Sequence, residues 1–216
     1  MKKGAIFDMD GLMFATEGLW QEGWRMLAKK YGYEPSADFG RDISGTSGEV
    51  MEGVVRKYYP GIDVKAFILE ERAYVEDCLE KEVPIKWGLF EILRLFKANG
   101  VKMAVASSSQ AAMIERNLKK TKTDRYFNVV LSSTQVAHAK PAPDVFLMAA
   151  QELSLPPEDC YVFEDSFGGV RAGAAAGCTT IMIPDQVQPT EEIRALADAV
   201  FESLAHAAEA IEEGRI

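Results

Sequence analysis

Four short segments of the chain carry residues whose types and spacing can do chemistry. Asp8-Met9-Asp10-Gly11 follows one apolar run, and Ser107-Ser108-Ser109-Gln110 follows a second. Lys140-Pro141-Ala142-Pro143-Asp144 forms a proline-stiffened loop, and Glu164-Asp165-Ser166 closes a later apolar run. In an extended segment, residues two apart point the same way, so Asp8 and Asp10 can share a site. Carboxylates this close repel one another, and a divalent cation relieves the repulsion. Magnesium takes oxygen ligands and is usually held by one or two carboxylates, with a substrate phosphate completing its shell. Glu164 and Asp165 would complete the protein's share. The competing explanation, two acidic pairs that merely cap helices or turns, accounts for either pair alone but not for their joint placement. Lys140 is the only cation in these segments and would offset a nucleophile and hold a phosphoryl oxygen. Ser107, with Ser108 beside it, can donate to further phosphoryl oxygens, as can the backbone N–H groups that open a helix at Gln110.

These segments need a scaffold that brings them to one place, and the pattern of apolar runs supplies it. Ala5-Ile6-Phe7, Met103 to Ala106, Val129 to Leu131, Tyr161 to Phe163 and Thr180 to Ile183 are short and apolar throughout. Such strands belong to a parallel sheet covered on both faces. Helical patterns alternate with them: Leu89 to Lys97, ending at Asn99-Gly100, then Gln110 to Lys120, Pro143 to Leu153, and Phe167 to Ala176 with Gly177 as its stop. The expected fold is therefore α/β, a doubly wound parallel sheet with a Rossmann-like core. Ligands in such sheets sit at the carboxyl ends of the strands, where the four polar segments lie.

Residues 16–84 break the alternation. Trp20, Trp24, Leu27 and Tyr31 recur at helical spacing, and further helical patterns run from Glu49 to Tyr58 and from Val64 to Glu82, with no strand-like run among them. The sequence predicts an all-helical insert over 16–84, and an α/β core made of 1–15 and 85–216.

Composition narrows the function classes. The chain has 216 residues, 48% hydrophobic and 26% charged, as a soluble globular protein does. Its 33 acidic and 24 basic residues give a formal charge of −9, which argues against nucleic acid as a partner. No stretch approaches the roughly 20 apolar residues of a membrane span, and the N-terminal run, broken by Asp8, is no secretory signal. Cys78, Cys160 and Cys178 are too few and too scattered for a disulfide framework or a zinc site, so free thiols and a cytoplasmic location are expected. Gly168, Gly169 and Gly173 do not form a dinucleotide fingerprint, and no Gly-Lys-Ser/Thr loop occurs. His138 reads as a structural loop residue.

The four segments, in this order, resemble the motifs of the haloacid dehalogenase-like hydrolases. The nearest branch is that of β-phosphoglucomutase and its related sugar-phosphate phosphatases, which carry a helical cap after the first motif. The resemblance implies that Asp8 attacks phosphorus to form an aspartyl-phosphate, and that Asp10 protonates the leaving alcohol and then activates water. It implies a magnesium ion bridging Asp8, the Asp10 carbonyl, and Glu164 or Asp165, with Ser107, Ser108 and Lys140 on the phosphoryl group. The inserted helices would be the cap, with Glu17, Trp20, Gly45 and Thr46 shaping the leaving-group pocket. A small phosphorylated metabolite is the expected substrate, and one chain completes the site, so a monomer is expected.

Departures from the pattern bear on the reaction. The mutases carry Gly-x-x-Arg in a cap loop, where this chain has Gly45-Thr46-Ser47-Gly48, and a His where this chain has Trp20. Both differences favour a phosphatase over a phosphosugar isomerase. Ala15 replaces an Asp found in many relatives, with its effect expected at the hinge. A phosphoacceptor switch would place its acidic pair first and lack the insert, and a DxD glycosyltransferase would leave Lys140 and Glu164-Asp165 unexplained.

Overall fold

The computed structural model describes every residue except Gly45 and Ser47. Six parallel strands, β1 (Gly4–Phe7), β2 (Lys102–Ser107), β3 (Val129–Ser132), β4 (Cys160–Glu164), β5 (Thr179–Met182) and β6 (Ala199–Val200), form one sheet in the order β3-β2-β1-β4-β5-β6. The order reverses beside β1, and the crevice that such a reversal opens at the carboxyl ends is where ligands bind in open α/β sheets. The helices are α1 (Glu17–Lys30), α2 (Ala37–Ile43), α3 (Gly48–Tyr58), α4 (Val64–Lys81), α5 (Leu89–Ala98), α6 (Ala111–Thr121), α7 (Asp144–Glu152), α8 (Phe167–Ala176), α9 (Glu191–Leu196) and α10 (Leu204–Glu212).

The strands are apolar on both faces because both are covered. Ala5, Phe7, Met103, Val105, Tyr161 and Phe163 face α5 and α10, where they meet Ile92, Phe96, Leu204 and Ala207. Ile6, Ala104, Ala106 and Val162 face the opposite way, onto Phe146 and Ala149 of α7 and Ala172 of α8. Phe7 and Phe163 stack across neighbouring strands with ring centroids 4.8 Å apart. Aromatic pairing of this kind at the ends of β1 and β4 contributes about 1 kcal/mol beyond burial and stiffens the strand ends from which Asp8 and Glu164 emerge.

Helices α1 to α4 occupy the stretch between β1 and α5 and bury a core of their own. Trp24, Leu27, Phe39, Val55, Tyr59 and Phe67 meet there. The two chain crossings into this segment lie side by side: Ala15 N–H donates to the Pro84 carbonyl at 2.8 Å, and Lys86 N–H to the Met13 carbonyl at 3.0 Å. Ala15 thus lies within the paired crossing, and a salt bridge from Lys86 to Asp185 at 2.5 Å ties that crossing to the loop after β5.

The short elements α2, α9 and the two-residue β6 are among those the sequence does not predict. Strand β6 exists because the sheet edge recruits it, with the Asp198 carboxylate accepting from Thr180 N–H at 2.7 Å beside the ladder. Among the described residues, no helix is long and apolar enough to cross a membrane. Cys160 and Cys178 are buried free thiols, and Cys78 is free and half-buried.

Candidate active site

Strand β1 ends at Phe7, so Asp8 leaves the sheet edge at its centre and is buried. Lys140 approaches from the loop before α7 and is also buried. Its ammonium donates to Asp8 Oδ1 at 2.6 Å, to Glu164 Oε1 at 2.7 Å and to the Ala106 carbonyl at 2.9 Å. All three donor hydrogens are therefore used. Burial disfavours the charged lysine, but Asp8 and Glu164 outweigh that effect and hold the ammonium charged well above the usual lysine range. Burial pushes the Asp8 carboxyl up to about 8; Lys140 opposes this, while Glu164 and Asp10 reinforce it.

Glu164, at the end of β4, has its second oxygen occupied as well. Oε2 accepts from the N–H groups of Asp165 and Ser166, both at 3.1 Å, and from the Ser166 hydroxyl at 3.0 Å. Helix α8 comes so close that a Cβ on Gly169 would lie 1.8 Å from the Glu164 carboxyl carbon. Gly11, at φ +82°, is held in the same way: a Cβ there would lie 2.1 Å from Asp165 Oδ2. The glycine therefore provides both the left-handed turn after Asp10 and the room for Asp165.

Oxygen atoms of Asp8, Glu164 and Asp165 lie within 4.8 Å of one another. Burial, then the charges of Glu164 and Asp8, raise the Asp165 carboxyl well above the carboxylate range. Three acids thus converge where, among the described residues, Lys140 is the only cation bonded to them. Hard carboxylate oxygens with a charge deficit of this kind fit a small divalent cation such as magnesium. Asp8 and Asp165 are the better placed to hold it, since Glu164 already makes four hydrogen bonds.

Asp10 faces the same cavity with different partners. The Thr16 hydroxyl donates to Oδ1 and the Ser109 hydroxyl to Oδ2, both at 2.6 Å. The sequence points to neither contact, and Ser109 stands in its serine run without a role of its own. The two-residue spacing of Ser107 and Ser109 beyond a strand end, which puts both on one side, is the signal that could have revealed it. Ser107 is buried and its Oγ accepts from Ser109 N–H at 3.1 Å, which leaves its own hydroxyl hydrogen free to donate.

Asp8, Asp10, Ser107, Ser108, Ser109, Lys140 and Asp165 line one cavity of about 100 Å³. Its opposite wall comes from the helical segment and includes Glu17, Trp20, Trp24, Ser44, Thr46 and Met51. Glu164 lies beneath the cavity rather than on its lining. Glu17 is buried, and its Oε1 accepts from Gln21 at 2.9 Å and Ser44 at 2.8 Å; burial raises its carboxyl despite those bonds. The Thr46 hydroxyl donates to the Ile43 carbonyl at 2.7 Å. Gly45, the remaining residue expected here, lies outside the described residues. Arg72 and Glu76 of α4 also line the cavity, so this wall carries a cation on a different element from the 45–48 loop, whose sequence has none. His138 is exposed and pairs with Asp144 at 2.9 Å, away from the lining.

A doubly wound parallel sheet thus carries an aspartate pair and a buried lysine at its carboxyl edge. The chain belongs to the haloacid dehalogenase-like hydrolases, whose family model matches residues 5–183. Among curated relatives, a phosphorylated carbohydrates phosphatase of Thermotoga maritima is 33% identical over 184 residues, covering 83% of each chain. A fructose-1-phosphate phosphatase of Escherichia coli is 30% identical over 180 residues, or 82% of this chain and 94% of the relative. Among solved structures, the β-phosphoglucomutase of Clostridium difficile shares the fold, with a TM-score of 0.82 at 24% identity over 99% of this chain and 96% of that one.

Proposed function

We propose that this chain is a magnesium-dependent phosphatase acting on a small sugar phosphate in the cytoplasm, as a monomer. In this reading residues 16–84 are a cap that closes on a core of 1–15 and 85–216. The observation that carries it is the division of partners at the paired acids. Asp8 is bound to an ammonium, while Asp10, two residues on in the same cavity, is bound to two hydroxyls. Two carboxyls with such different surroundings suit two different roles. The phosphatase names of the relatives support the reaction class, and the carbohydrate substrates in those names support the sugar.

Asp8 attacks phosphorus; as the new Asp8 O–P bond forms, the ester P–O bond breaks and the leaving oxygen takes a proton from Asp10. Water then attacks the same phosphorus, its proton passes to Asp10, and the Asp8 O–P bond breaks to release phosphate. Lys140 offsets charge on Asp8 and the phosphoryl oxygens, and Ser107 and Ser108 donate to those oxygens. Magnesium, held by Asp8, Asp165 and the Asp10 carbonyl, would supply positive charge that favours the phosphate's approach to a carboxylate. Trp20, Met51 and Ile43 give the cap wall an apolar face for a sugar ring, and Glu17, Ser44, Thr46 and Glu76 offer acceptors to its hydroxyls.

A second reading, a phosphosugar isomerase, is favoured by one observation: Arg72 on the cap wall could bind a second phosphate. The discriminating experiment measures phosphate release from a panel of sugar phosphates with magnesium. A parallel reaction follows β-glucose 1-phosphate to glucose 6-phosphate, primed with glucose 1,6-bisphosphate. Metal-dependent release that disappears in Asp8→Asn supports the phosphatase, and isomerisation faster than release replaces it with the mutase.

A further inference from the structure

The residue that follows the expected phosphate-binding serines has no role in the mechanism above, yet its backbone and side chain are hydrogen-bonded to three separate segments. Ser109 N–H donates to Ser107 Oγ at 3.1 Å, and the Ser109 carbonyl accepts from Ser132 Oγ at 2.6 Å. Ser132 is the last residue of β3 and is buried. The Ser109 backbone is thus fastened on one side to β2, whose last residue is Ser107, and on the other to β3. Its side chain crosses to the loop after β1, where the hydroxyl donates to Asp10 Oδ2 at 2.6 Å. Thr16, which holds the other carboxylate oxygen, lies at the start of the helical segment and is the N-cap of α1. Asp10 is therefore gripped by one hydroxyl from the sheet side and one from the side that carries α1.

We propose that Ser109 is a positioning residue for Asp10, orienting its carboxyl through both halves of the reaction. The inference rests on the reading of Asp10 as the proton donor and acceptor. The physical reason is that a carboxyl oxygen keeps lone pairs that accept hydrogen bonds in either protonation state. While Asp10 is a carboxylate, Ser109 donates to Oδ2. When Asp10 carries the proton, that proton points at the leaving oxygen and Ser109 still donates to a lone pair of the carboxyl. The contact therefore survives each proton transfer, and a neutral hydroxyl, unlike a lysine, adds no charge that would hold the carboxyl ionised. Its sheet-side anchor also does not depend on the helical segment, so Asp10 keeps one fixed partner when Thr16 moves with α1. Proton transfer in a transition state depends on such alignment within hydrogen-bond reach.

The experiment uses the full chain with magnesium and two probes of nearly equal shape, p-nitrophenyl phosphate and phenyl phosphate. The p-nitrophenolate group leaves without help, whereas phenolate needs the proton from Asp10. Rapid-quench kinetics would compare wild type, Ser109→Ala, Ser109→Thr and Ser132→Ala. For Ser109→Ala, the burst of p-nitrophenolate should stay within about twofold of wild type. Its later turnover, and the first step with phenyl phosphate, should both fall by about tenfold or more, a part of the roughly 10²–10⁴-fold that acid–base catalysis supplies. KM should change by less than about twofold, Ser109→Thr should restore most of the loss, and Ser132→Ala, which is outside the cavity lining, should show the same pattern more weakly. Equal losses with both probes, a change confined to KM, or wild-type kinetics in Ser109→Ala would each overturn the proposal. If only sugar phosphates turn over, the same loss in Ser109→Ala at unchanged KM is required with them. A wild-type chain that releases phosphate from neither these probes nor the sugar phosphates overturns the phosphatase reading, and this inference with it.

Discussion

Replacing Gly169 by alanine tests the architecture without touching any group that meets the substrate. The added Cβ would lie 1.8 Å from the Glu164 carboxyl carbon and 1.9 and 2.2 Å from its oxygens, where ordinary contact begins at 3.4 Å. The carboxylate or the helix must move by about 1.6 Å, the difference between 3.4 and 1.8 Å. A shift of that size breaks most of the four hydrogen bonds that Glu164 makes, to Lys140, to the N–H groups of Asp165 and Ser166, and to the Ser166 hydroxyl. Overpacking alone costs about 1–3 kcal/mol, and breaking a buried ion pair costs about 3–5 kcal/mol. The two overlap, so about 4 kcal/mol is expected, which for a chain of this length lowers Tm by about 10 °C. Lys140 would lose one of its two carboxylate anchors, and phosphate release should fall about 10²-fold, as it does when one preorganised donor is lost. The control is Gly168→Ala, where a Cβ meets nothing within 4 Å. It should match wild type or gain up to about 1 kcal/mol of helix stability. Calorimetry and phosphate release on the two variants side by side decide the matter. A Gly169→Ala protein with the Tm and turnover of Gly168→Ala would refute the account of Glu164 as the anchor of Lys140.

Three further outcomes follow from the same geometry. Lys140→Met, which leaves Asp8 and Glu164 facing each other without a cation, should lower turnover by about 10²–10³-fold; near-normal turnover with an unchanged fold by circular dichroism would contradict its role. Because burial pushes Asp8 up to about 8, a cation must displace a proton below that pH. Magnesium affinity measured by calorimetry should therefore tighten by up to about tenfold per pH unit between about pH 6 and 8, and a flat profile would count against Asp8 as a ligand. Glu71 of α4 is fully buried, neither of its oxygens has a hydrogen-bond partner among the described residues, and burial followed by the charge of Glu17 raises its carboxyl to about 8. Its raised folded pKa means that stability falls as pH climbs from the ordinary 4.5 to about 8, at up to about 1.4 kcal/mol per unit. Glu71→Gln should remove that slope, so that its Tm advantage over wild type grows from pH 5 to pH 8; parallel curves would show that Glu71 does not titrate in the fold.

Much of the sheet was legible because burial on both faces leaves no polar alternation in strands such as Ala5-Ile6-Phe7 and Tyr161-Val162-Phe163. Helix α8 was legible to the residue, since Ser166 caps it and Gly177 stops it at φ 79°. Strand β6 was not, because two half-buried residues carry no period and their pairing depends on an edge that β5 supplies. At the site, Asp8, Glu164 and Asp165 could be read from their places at strand ends, which the fold brings together whatever the details, and Lys140 from its proline-stiffened loop before α7. The bond from Ser109 to Asp10 spans 99 positions and depends on the rotamer of one serine among three, so spacing alone could not single it out. Arg72 and Glu76 were missed for a different reason. Which face of α4 meets the cavity is decided by how α1 and α4 pack on each other, and the pattern along α4 does not record that.

The central claim is that Asp8 carries the phosphoryl group, and the direct test is to find it there. The full chain would be quenched in acid during turnover of p-nitrophenyl phosphate with magnesium, digested, and its peptides weighed by mass spectrometry. The account predicts one added phosphoryl group on Asp8, removed by hydroxylamine, more abundant in Asp10→Asn because the second step stalls, and absent from Asp8→Asn. Turnover that continues in Asp8→Asn, or phosphate release with no adduct on Asp8 in any variant, would contradict it.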